Sequence, residues 1–136
     1  MSRACFLDTS GWLAVTLDRE EHHDSARPYY ERELRAGTRF VTTNLVLSEM
    51  HVLIARRSPP HALRFLDDIR KDPTHSVVYS DADLEREAID RWLRPFADQR
   101  FSLADAVSFE VMRRERLTVA FALDRHFRTA GFELIP

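Results

Sequence analysis

The 136-residue chain has one cysteine, three glycines and a single lysine among its 20 basic residues, and each scarcity removes a class of chemistry. A lone thiol, Cys5, cannot close an internal disulfide, so a reducing, cytoplasmic setting is expected. Its place in the apolar run Ala4-Cys5-Phe6-Leu7 reads as that of a small buried hydrophobe. So few glycines leave no Gly-rich loop for a P-loop enzyme. Lys71 is the only lysine, which excludes chemistry that needs one elsewhere in the chain. No apolar run approaches the ~20 residues of a membrane span. Asp8 interrupts the stretch Ala4 to Val15 and no cleavage pattern follows, so a signal peptide is not expected. The formal net charge of −2 gives no global positive field to draw in nucleic acid. That counts against a pure nucleic-acid-binding module. It is compatible with a nuclease whose acidic site lowers the total while local arginines hold phosphates.

What is present is an ordinary globular composition, with 44% hydrophobic and 31% charged residues. The length fits one domain, residues 1–136, which buries roughly 68% of its unfolded surface and folds without disulfides or structural metal. The short apolar run at Arg3–Asp8 reads as a strand buried on both faces. Helices are expected over Thr9–Leu17 and His23–Ala36, the second stopped by Gly37. A strand at Phe40–Thr42 is followed by helices at Asn44–Arg57 and Pro60–Lys71. A strand at His75–Tyr79 leads to a helix over Ser80–Phe96, opened by a Ser80/Asp83 capping box. A helix at Ser102–Glu115, a strand at Thr118–Leu123 and a short strand at Glu133–Ile135 complete the chain. Strands alternating with helices or helix pairs predict an α/β sandwich around a mostly parallel sheet of four to five strands. In such folds ligand sites lie past the carboxyl ends of strands.

Two strands end in aspartate, Phe6-Leu7-Asp8 and Phe121-Ala122-Leu123-Asp124. Either residue alone can equally be a helix cap. Two further acids stand in apolar company. Glu49 shares a helical stripe with Val46 and Leu53, where a charge is costly unless paired or metal-bound. Asp105 shares one with Phe109 and Met112. It also has capping-box spacing from Ser102, and capping and facing a site can coexist. The acidic and histidine-containing run Glu20-Glu21-His22-His23-Asp24 has no ligand periodicity and reads as a helix-entry loop. His126, two residues past Asp124, is open to a substrate or a packing role. Trp12 and Trp92 read as core or interface residues.

Four short segments together resemble the PIN-domain family, specifically the VapC-type toxins of bacterial toxin–antitoxin pairs. They are Phe6-Leu7-Asp8-Thr9-Ser10, Leu47-Ser48-Glu49, Phe101-Ser102-Leu103-Ala104-Asp105-Ala106 and Ala122-Leu123-Asp124-Arg125-His126-Phe127. Each is weak alone; the ordered set spans essentially the whole chain. The resemblance implies a PIN-like three-layer α/β/α fold and divalent-metal-dependent endoribonuclease activity. It carries the acidic positions onto Asp8, Glu49, Asp105 and Asp124, and the small hydroxyl position onto Thr9, with Ser10 beside it. It also implies RNA as substrate, a small antitoxin protein as partner, and a homodimer or toxin–antitoxin hetero-oligomer.

Phosphodiester hydrolysis needs an activated water and stabilised charge on the leaving oxygen, both of which Mg2+ or Mn2+ supplies. These hard cations prefer oxygen ligands. Two carboxylates about 4 Å apart repel by ~4 kcal/mol at an effective dielectric of ~20, so four converging acids require a cation or protons. The expected arrangement has Asp8 and Asp105 as direct ligands and Glu49 and Asp124 bound directly or through water. Thr9 and Ser10 bond a ligating carboxylate or a phosphate, or cap the first helix. Arg113, Arg114, Arg116, Arg125 and Arg128 are candidate phosphate contacts. A dehalogenase-type phosphatase would want an acid where Ser10 stands, and a response-regulator receiver a late lysine. The remaining rival is a catalytically inactive PIN-like interaction module.

Overall fold

The computed structural model describes residues 3–136. Its centre is a five-stranded sheet in the order β3-β2-β1-β4-β5, with every neighbouring pair parallel. The strands are β1 (Ala4–Leu7), β2 (Arg39–Thr43), β3 (His75–Val78), β4 (Val119–Phe121) and β5 (Glu133–Ile135). The mostly parallel sheet expected from sequence is therefore wholly parallel. The inner strands β1 and β4 are almost completely buried, as their continuous apolar runs require.

Helices α1 (Thr9–Thr16), α2 (His23–Arg35), α3 (Asn44–Ala55) and α4 (Pro59–Lys71) lie in the first half, and α5 (Ala82–Ala88), α6 (Leu103–Glu115) and α7 (His126–Thr129) in the second. None is long and apolar enough to cross a membrane. Between α5 and α6 the sequence expectation fails in one respect. The helix does not run unbroken from Ser80 to Phe96. It is capped by Asp81, which accepts from the Leu84 amide, and Ser80 is left outside with an unpartnered, buried hydroxyl. After Ala88 the backbone widens into a π-helical turn, Ile89–Leu93. A carboxylate one position later satisfies the free amides better than Ser80 does, because its oxygen is the stronger acceptor.

The strand order reverses between β1 and β4: the chain builds outward through β2 and β3 on one side and through β5 on the other. That reversal opens a crevice beyond the carboxyl ends of β1 and β4. Asp8 follows β1, and Asp124 follows β4 by three residues. Gly11 fixes how closely α1 crosses this point. A Cβ there would lie 2.5 Å from the Phe121 carbonyl oxygen and 2.7 Å from its ring. Gly11→Ala is expected to push α1 off β4 and destabilise the protein by about 1–3 kcal/mol, readable as a fall in melting temperature.

Candidate active site

Asp8 caps α1. Its Oδ2 accepts from the Ser10 amide at 3.1 Å and the Ser10 hydroxyl at 2.6 Å. The same Ser10 oxygen accepts from the Leu123 and Asp124 amides at 3.0 and 3.2 Å, so one hydroxyl ties the loop after β1 to the loop after β4. Ser10 is thus a structural tie between two acidic loops, one of the roles its position allowed.

Asp105 is brought in by the first turn of α6. A capping box is present: the Ser102 hydroxyl accepts from the Asp105 amide, and Asp105 Oδ2 accepts from the Ser102 amide, both at 3.0 Å. Asp105 Oδ2 also receives His126 Nδ1 at 2.9 Å. Asp105 therefore closes the helix and also lies beside Asp124 and His126. Asp124 Oδ1 accepts from the His126 amide at 2.9 Å. In each of Asp8, Asp105 and Asp124, one oxygen is clamped while the other takes no hydrogen bond among the described residues.

Glu49 is placed differently from expectation. It is exposed rather than buried on α3, at the rim of a shallow depression with Ser48, Val52 and Leu53. Helical spacing put it on a stripe with Val46, but no layer covers that part of the stripe. Its carboxyl still belongs to the cluster: partial burial raises its pKa first, and the charges of Asp8, Asp105 and Asp124 raise it further. The Thr9 hydroxyl lies near enough to favour the Glu49 carboxylate, yet makes no hydrogen bond of ordinary geometry and is buried without a partner.

Electrostatically the cluster is frustrated. Burial pushes the Asp8 carboxyl up to about 6, with Asp105 and Asp124 adding to the rise and the Ser10 hydrogen bonds opposing it. Asp8 is 8% exposed, so its charge has little solvent to screen it. Oxygen atoms of Asp105 and Asp124 and a ring nitrogen of His126 lie within 4.8 Å of one another, a group that could hold a metal ion. Free carboxylate oxygens, an orphaned hydroxyl and the raised pKa values of Asp8 and Glu49 together suit a hard divalent cation.

His126 is the residue that sequence reasoning left undecided. Its Nδ1 lies 2.9 Å from Asp105 and 3.5 Å from Asp124, and its ring packs edge-on against Phe101. It holds two carboxylates in register. His126→Ala is expected to weaken divalent-ion affinity about 10–100-fold, the usual effect of removing a ligand's orienting partner, as measured by calorimetric titration. The remaining histidine cluster is structural, since His23 opens α2 with Nδ1 2.8 Å from the Ala14 carbonyl. Trp12 is buried, and Trp92 packs on Phe109. Of the candidate arginines, Arg125 beside Asp124 and Arg128 on α7 are exposed, Arg116 ends α6, and Arg113 and Arg114 are drawn to Glu110.

Comparison with known proteins places this geometry. The model of the PIN domain family matches residues 5–133. The 23S rRNA-specific endonuclease VapC20 of Mycobacterium tuberculosis, in two strains, is 33% identical over 127 residues, covering 93% of this chain and 94% of the relative. The crystal structure of Mycobacterium tuberculosis VapC20, described as a Sarcin-Ricin loop cleaving toxin, superposes with a TM-score of 0.80. That match, at 33% identity, covers 94% of this chain and 95% of that one.

Proposed function

Since the chain belongs to the PIN-domain family, we propose that it is a divalent-metal-dependent endoribonuclease and the toxin of a toxin–antitoxin pair, its 136 residues acting as one PIN-like domain. The reading is supported by the Asp105 and Asp124 carboxylates gathered with His126 within 4.8 Å, with Asp8 and Glu49 near enough for the acids' charges to raise their pKa values, in a chain 33% identical to an rRNA endonuclease.

When bound, Mg2+ or Mn2+ supplies a water of lowered pKa and neutralises charge on the scissile phosphodiester. Asp8 and Asp105 would hold the ion directly, and Asp124 and Glu49 would hold it directly or through water. Glu49, exposed at the rim with a raised pKa, would orient the attacking water and could accept its proton. Ser10 keeps Asp8 and Asp124 at a fixed separation. His126 holds one Asp105 oxygen and leaves the other available to a cation. Thr9 offers its free hydroxyl to a ligating carboxylate or a substrate phosphate.

The Mycobacterium tuberculosis relative is a 23S rRNA-specific endonuclease, which makes 23S rRNA the first RNA to test. Purified protein should cleave it with added Mg2+ or Mn2+ and stop when EDTA is added. A small antitoxin that covers the acidic crevice, assembly as a homodimer or toxin–antitoxin hetero-oligomer, and residence in the cytoplasm complete the proposal. The rival, an inactive interaction module, is disfavoured by the frustrated acids, for which a pure binding surface has no use. Absence of metal-dependent cleavage on a panel of structured RNAs would favour that rival.

A further inference from the structure

Glu110 lies in the middle of α6 and is fully buried. Three arginines from two elements close over its carboxylate. Arg113 approaches both oxygens through Nε at 3.1 and 3.2 Å and through Nη2 at 2.7 Å. Arg91 Nε lies 3.1 Å from Oε1, and Arg114 Nε 3.4 Å from Oε2. Trp92 Nε1 donates to Oε1 at 3.1 Å. Arg91 and Trp92 reach this point through the π-helical turn, a local widening that recurs at functional sites.

One guanidinium suffices to neutralise a buried carboxylate; three exceed that need. The arginine side chains are 41–45% exposed. Arg91 and Arg114 meet Glu110 through Nε, so their terminal nitrogens, and Nη1 of Arg113, are not consumed by it. Glu87 takes one Arg91 nitrogen at a loose 3.6 Å, and the group remains net positive. The carboxylate thus orders three planar cations beforehand, removing part of the entropy cost of binding an anion. Guanidinium forks held this way match phosphate oxygens. Arg113 and Arg114 lie eight and nine residues beyond Asp105 on the same helix, about 12–14 Å along its axis at 1.5 Å per residue.

We propose that Arg91, Arg113 and Arg114, fanned around buried Glu110, form a phosphate-backbone contact that anchors the RNA strand away from the acid cluster. The assignment rests on the ribonuclease reading above. It gives the chain a basic foothold that its net charge of −2 conceals.

The test is steady-state cleavage by the full chain with Mg2+, comparing the parent with an Arg91→Gln/Arg114→Gln variant that keeps Arg113 on Glu110. KM for a long structured RNA should rise about tenfold, kcat should fall far less, and the slope of log(kcat/KM) against log salt should flatten by about 1–2. Cleavage of an oligonucleotide too short to reach the arginines should change little. If the double variant does not fold, Arg114→Gln alone, at the longest of the contacts, should raise KM about threefold with a slope change near 0.7. Unchanged KM and salt slope in an active variant overturn the anchor and leave the ribonuclease reading intact. Unchanged KM together with weaker capture of an acidic protein partner also overturns it, assigning the arginines to that partner. A parent that cleaves no RNA overturns both.

Discussion

Asp8→Asn is expected to abolish RNA cleavage, by at least about a thousandfold, and at the same time to raise the melting temperature of the metal-free protein at pH 8. Both effects follow from one carboxylate. The loss of activity would follow from removing the proposed direct ligand of a divalent ion, whose effects on water and phosphate are worth several kcal/mol of transition-state stabilisation. The gain in stability follows from where Asp8 sits. It is 8% exposed and beside Asp105 and Asp124, and its pKa stands at about 6 against an ordinary 3.8. A carboxyl displaced that far costs the folded, metal-free protein about 2–3 kcal/mol once ionised. Asparagine keeps an oxygen for the Ser10 amide and hydroxyl, and offers its NH2 to the neighbouring carboxylates. The expected rise is about 5–10 °C for a domain of this size. A fall in melting temperature would mean that Asp8 is a structural ion-pair partner and not a strained ligand.

The stability advantage of Asp8→Asn also depends on pH in a definite direction. Because the folded pKa of Asp8 is raised, the folded state binds a proton that the unfolded state has already lost. Stability of the metal-free parent therefore rises as pH falls from about 7 towards 4, as Asp8 becomes neutral. Other groups act in the opposite sense. His75 has a pKa lowered by burial, so its contribution is lost as pH falls below the ordinary histidine value. Glu110 and Asp72, held low chiefly by hydrogen bonds from Arg113 and Trp92 and from Thr74 respectively, lose theirs at still lower pH. The difference between the parent and Asp8→Asn isolates the one group. Denaturant unfolding without metal should show a gap of about 2–3 kcal/mol at pH 8 that closes by about pH 4. Saturating Mg2+ should stabilise the parent and not the variant. A gap that does not change with pH would remove the desolvated charge as its cause.

Much of this site is legible in the linear sequence, for physical reasons that differ from residue to residue. Asp8 and Asp124 end apolar runs, and a parallel sheet places strand ends at its ligand crevice. Asp105 announces itself twice, by its spacing from Ser102 and by its apolar neighbours. Glu49 is found by the right residue and the wrong reason: helical periodicity assigns it a face, but only the tertiary packing shows that the face is open. Ser80 loses the cap to Asp81 because adjacent capping residues compete, and one position of register is below what spacing resolves. His126 and Glu110 depend on contacts across 21 residues to Asp105 and 18 to Trp92, separations over which local pattern carries no information. The run Phe109-Glu110-Val111-Met112, a charge amid apolar neighbours, is a sequence signal that could have singled out Glu110 but was not read.

The central claim is that Asp8, Glu49, Asp105 and Asp124 form a divalent-cation site whose occupancy RNA cleavage requires. Calorimetric titration of Mn2+ into the metal-free protein, repeated on Asp8→Asn, tests it most directly. The account predicts saturable binding of one or two ions by the parent, accompanied by proton release at pH 6 as Asp8 ionises, and loss of that binding in the variant. Equal binding by parent and variant, or none by either, would contradict it.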